Sequence, residues 1–243
     1  MTRGTLAGSL LFLAAAAGVA LTQPGLAHAA HKAGDREDVY ALPPPAQLHA
    51  MTLGWDAAAV DLLWTSLLVQ YGSHWQDRRE FTDGVRYADD ILAIEPTYEP
   101  LYHIIDTMLV FRPLQGTAQD ARDARAILEQ GTRARPHDAN LWRRYGEFLA
   151  YLAPTFLTDP EEQKAWRKEG AIALEHAVEL GGDPDSILGA AGVLSDVGER
   201  VAVLRFLERA YAMTEHPSMT DIHERIGEKL AELRAQMPSP ISP

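Results

Sequence analysis

Cysteine is absent from the 243-residue chain, so disulfides, thiolate metal sites, a cysteine nucleophile and a lipid-modified N-terminal cysteine are all excluded. Basic residues are few, 22 Lys and Arg against 34 Asp and Glu, and the net charge of −12 argues against a general nucleic-acid binder. No alternating β-branched run reads as a strand. A phosphate-cradling glycine loop, His-Glu-x-x-His and Gly-x-Ser-x-Gly are likewise missing, which removes the easily read enzyme classes. No run of about twenty apolar residues is present, so no segment is expected to span a bilayer. What remains is a chain that is 47% hydrophobic and must be held together by packing alone.

The first apolar stretch reads as an address. Arg3 is followed by an apolar run from Leu6 to Leu21, then by the helix breakers Pro24 and Gly25, and Ala27-His28-Ala29 places small residues where a signal peptidase cuts. Residues 1–29 are therefore read as a signal peptide cleaved after Ala29, with an N-terminal membrane anchor as the alternative. Cleavage removes Arg3 and leaves 21 basic against 34 acidic residues, a mature charge of −13. The expected location is the periplasm or the exterior. Residues 30–54 carry mixed charges and Pro43-Pro44-Pro45, and they read as an extended leader.

Beyond the leader the pattern is helical. Apolar residues recur at spacings of three and four, as in Leu62, Leu63, Leu67, Leu68 and Tyr71, and segments of 12 to 18 residues end at Gly or Pro. The ends are periodic. Pro96, Pro136, Pro184 and Pro217 each close a segment, and Gly146 and Gly227 each stand ten residues after one of them. Around the glycines the chain reads Trp142-x2-Tyr145-Gly146-x2-Leu149, His223-x2-Ile226-Gly227-x2-Leu230 and Leu68-x2-Tyr71-Gly72-x2-Trp75. Small, large, small order follows as Ala124, Leu128, Gly131 and as Gly170, Leu174, Ala177, with Ala202 and Phe206 as a partial match. The physical sense is packing, because a small residue lets two helices approach while large neighbours fill the adjoining groove.

This arrangement resembles the tetratricopeptide repeat (TPR), a helix–turn–helix unit of 34 residues with W-x2-L-G-x2-Y in its first helix and a closing proline. The resemblance covers residues 55–236. It implies an all-α fold, a right-handed α-solenoid of antiparallel helix pairs, with units at 55–97, 98–137, 138–184 and 185–217 and a capping helix from Thr220 to Gln236. Extra residues near Arg112 to Thr117, and a longer insertion containing Pro154 and Pro160, break the regular period. The tail, 237–243, reads as disordered.

The same resemblance implies a scaffold or adaptor that binds a protein or peptide partner in a concave groove lined by first helices. Carried over unit by unit, the groove positions are Ser66, Val69 and Ser73, then His103 and Thr107, then Asn140, Arg143, Glu147 and Tyr151. Arg143 is the candidate for pairing with a partner carboxylate. The lysine-and-asparagine clamp of chaperone-binding members is absent.

One further feature comes from charge itself. Between Arg112 and Arg144 stand seven arginines, 112, 122, 125, 133, 135, 143 and 144, against four acids, a local balance of +3. They read either as a salt-laced exposed helix or as a docking patch for carboxylate or phosphate. Asp89 and Asp90 read as a solvated helix face, the tryptophans and tyrosines chiefly as core, and the scattered histidines as no metal site. No cofactor and no catalytic residue is expected. Two other readings stay open, a structural subunit of an envelope machine and an enzyme without a recognisable motif. An exposed apolar patch and an ordered proline leader favour the first, and a deep polar pocket favours the second.

Overall fold

The computed structural model describes residues 44–111, 116–196 and 198–236. The signal reading, residues 30–43 of the leader, Arg112 and the tail lie outside the described residues. Among those described the fold is all-α, without a strand.

Helix α1, Pro45–Met51, corrects the reading of an extended leader. Pro45 occupies the first helical turn, where a missing N–H costs nothing, and Pro44 before it has an extended backbone (φ −54°, ψ 143°). Helices α2, Asp56–Asp77, and α3, Gly84–Ile94, fill the first expected unit. Arg78, at φ 52°, ends α2 in the left-handed region.

In the second unit the first helix is broken into α4, Glu99–Tyr102, and α5, Ile105–Val110, and the second is α6, Ala118–Ala134. Thr117 and Asp120 start α6 with a reciprocal capping box. The third unit holds α7, Ala139–Glu147, capped by the Asp138 side chain, and α8, Pro160–Glu179, capped by Asp159 with Pro160 behind it. Between them a π-turn at Phe148–Leu152 and a 3-10 turn at Ala153–Thr155 take up the insertion. Helices α9, Ser186–Asp196, and α10, Arg200–Met213, form the fourth, and α11, Thr220–Gln236, follows.

The principal contacts join helices that are neighbours or near neighbours in the chain, and the most extensive is α7 against α8. Its cause is a pair of glycines. A Cβ on Gly146 would stand 2.8 Å from the Gly170 carbonyl oxygen, and one on Gly170 would stand 2.5 Å from the Ala150 nitrogen. Only hydrogen fits at either place. Around this contact Leu174, Val178, Ile187, Phe206 and Leu207 bury a continuous core that runs through α8 to α11. Ile222, Ile226, Leu230 and Leu233 close it from α11, on the face expected for that helix.

Several expectations are corrected. Gly72 makes no close approach, since nothing lies within 4 Å of where its Cβ would be. Asp90 is buried rather than solvated, while Asp89 is exposed. Trp55 (75% exposed) and Trp75 are surface residues, not core, because α2 buries only Val60, Leu63, Leu67 and His74.

Candidate functional site

The expected groove positions fall on α2, on the α4–α5 break and on α7 with its π-turn. Ser66 and Val69 are exposed on α2, and Ser73, half-buried, donates its hydroxyl to the Gln70 carbonyl. His103 and Thr107 are exposed on either side of the break, and His103 Nε2 lies 3.2 Å from Glu99. Asn140 is exposed, and Arg143 donates to Glu147 one turn on at 2.6 Å. Tyr151, 48% exposed, projects from the π-turn and reaches α9, where a Cβ on Gly189 would stand 2.7 Å from its hydroxyl. Burial first and then Glu147 push the Tyr151 phenol upward, so it is a neutral hydrogen-bonding group.

The described arginines of the basic segment are joined to acids of this chain. Arg122 grips both oxygens of Glu162, at 3.0 and 2.8 Å, and Arg125 contacts both oxygens of Glu169 while lying 4.7 Å above the Trp166 ring. Both contacts tie α6 to α8. Arg135 bonds Asp138, Glu99 and the Thr97 carbonyl, and Arg144 bonds the buried Asp106, tying α7 to α5. Arg133 pairs within α6 with Glu129. Hydrogen bonding to Arg122 holds the Glu162 carboxyl below its usual range, which keeps that bond charged at neutral pH. The salt-laced arrangement is thus present in detail, running between helices as well as along them.

A cleft of about 590 Å³ was not anticipated from the sequence. Helices α6, α7, α8 and α10 form its walls, with Trp142, Tyr145, Ile172, His176, Glu175 and Arg209 among the lining residues. The Trp142 indole N–H donates to the Pro136 carbonyl at 2.9 Å, and its ring meets His176 edge-on at 4.6 Å. The Tyr145 hydroxyl donates to Glu169 at 2.6 Å; burial and then that carboxylate push the phenol far above its usual value. Burial raises Glu175 as well, and Arg209 stands 2.9 Å from its Oε1 without hydrogen-bonding it. None of the nine groove positions lines this cleft, and among the described residues of the basic segment only Arg133 does. Asn140 and Arg135 instead border a shallower depression beside Pro136. The signal for the cleft was the aromatic Trp142-x2-Tyr145 pair, which the packing pattern had assigned to the interior.

Nothing in the cleft composes a nucleophile with its base, and no group of three or more metal-ligating side chains occurs among the described residues. No helix among the described residues is long and apolar enough to cross a membrane. No protein-family model, no curated protein and no solved structure matches the chain.

Proposed function

We propose that the helices form a right-handed solenoid of antiparallel, TPR-like pairs, and that the exported protein is a scaffold or adaptor. It takes a protein or peptide partner along the first helices, in assembly of an envelope complex. The observation that carries this reading is the row of hydrogen-bond-capable side chains along the proposed first helices: exposed His103 and Thr107, then exposed Asn140 and half-buried Arg143, with exposed Tyr151 on the π-turn that continues α7. Such a row suits an extended backbone, whose amides and carbonyls need polar partners at regular intervals. The interhelix arginine clamps hold the units in one relative geometry, which keeps the row in register.

Affinity purification of the tagged chain from envelope fractions, followed by mass spectrometry, tests it. Arg143 sits in a half-buried one-turn pair with Glu147, outside the buried core, so reversing it leaves that core untouched. Arg143→Glu is expected to lose most of the captured partner with an unchanged helical spectrum. Undiminished capture sinks the groove reading.

A second reading is favoured by one observation. The chain is helical from Pro45 and exposes Met51, Leu53, Trp55, Leu62 and Val69 near its start, as a structural subunit held through an apolar face requires.

A further inference from the structure

Helix α2 is unusual for its exposed side. Trp55, just before it, is 75% exposed, Leu62 70% and Val69 63%, while Asp61 and Asp77 are the only exposed charged residues along its length. The three large residues recur every seven positions, and exposed small ones, Ala58, Thr65 and Gly72, recur three positions after each. A seven-residue spacing is a seam for another helix.

We propose that this seam pairs with itself, joining two copies of the chain through antiparallel α2 helices about a two-fold axis between residues 63 and 64. That register sets Trp55 opposite Gly72 of the second copy, Leu62 opposite Thr65, and Val69 opposite Ala58. Every large side chain meets a small one, twice over by symmetry. Gly72 supplies the most open socket, because it carries no side chain and, beyond its own helix backbone and chain neighbours, nothing lies within 4 Å of its Cβ position. The same register brings exposed Trp75 toward exposed Met51 and Leu53 of the second copy, and Asp61 beside Ser66 rather than another acid. A lipid surface is a poorer occupant, since α2 holds three acids and no lysine or arginine to meet anionic headgroups. The pairing rests on α2 alone, where it takes up the expected groove positions Ser66 and Val69, and it stands or falls independently of partner capture at α5 and α7.

Because the chain has no cysteine, single introduced cysteines report the register without background. Two differently tagged copies of the full chain, one Ala58→Cys and the other Val69→Cys, are co-expressed and treated in intact cells with a short thiol cross-linker. The expected product joins the two tags. Either variant expressed alone stays uncross-linked, because 58 and 58, or 69 and 69, then stand about 16 Å apart along the axis, eleven residues at the helical rise. Thr65→Trp, which fills a socket on an exposed position and leaves the chain's own core intact, abolishes the cross-link. Cross-linking of either variant with itself, cross-linking to a different protein, or no mixed product overturns the proposal.

Discussion

Asp90 is the residue where burial and charge are most at odds. Its carboxyl is 2% exposed, its Oδ2 has no hydrogen-bond partner among the described residues, and burial pushes its pKa up to about 6 from 3.8. A raised carboxyl favours the protonated form in the fold. Its contribution to stability is therefore fully present below about pH 3.8 and is lost as pH rises through about 6. Asp90→Asn removes the ionisable group at nearly constant shape. Denaturant unfolding is expected to find the variant more stable than wild type at pH 8 by up to about 3 kcal/mol, the linkage cost of ionising a carboxyl raised from 3.8 to about 6, with the difference gone at pH 4. Equal stabilities at pH 8 would mean that a partner not seen here neutralises the carboxylate. The sequence could not reveal this, because Asp89 and Asp90 are neighbours about 100° apart on one helix, and which of the two turns inward depends on what α3 packs against.

At the scale of elements, glycines separate what a repeat pattern can tell from what it cannot. Gly146 and Gly72 occupy equivalent places in their local patterns, yet one is pressed against the α8 backbone and the other faces open space. Gly146→Ala is expected to destabilise by about 1–3 kcal/mol through overpacking, more than the helix-propensity gain of about 1 kcal/mol returns. Gly72→Ala, measured by thermal unfolding in dilute solution, should instead stabilise by up to about 1 kcal/mol, and it crowds Trp55 of a second copy in the paired form. Opposite signs are the outcome to look for. Segment ends were legible because Pro96, Pro136, Pro184 and Pro217 act locally, whatever packs around them. Helix α1 was hidden behind a proline run whose last member starts a helix rather than preventing one. The exposure of α2 was hidden for another reason: Leu62 and Leu68 look like Leu63 and Leu67 in one dimension, and only three-dimensional packing distinguishes the covered pair from the bare one.

For the whole molecule, the arginine-rich segment changes meaning once its partners are known. A local excess of +3 in a chain of −12 reads either as a salt-laced helix or as a docking patch, and Arg122, Arg125, Arg135 and Arg144 reach acids 36 to 44 residues away and one or more helices along. Sequence displays the charge and not its counter-charge, which is why the cleft walled by α6, α7, α8 and α10 was also missed. The groove positions, by contrast, were named from a resemblance, and Ser66, Val69, His103, Thr107, Asn140 and Tyr151 of the proposed row are exposed. The central claim is that partners are taken along that row and not in the cleft. Hydrogen–deuterium exchange of the full chain, with and without the partner captured from the envelope, tests it most directly. Slowed exchange is predicted in the peptides covering 103–110 and 147–152, clear of the cleft-lining Trp142 and Tyr145. Protection confined to 129–133 and 169–179, where the cleft lies, would contradict it.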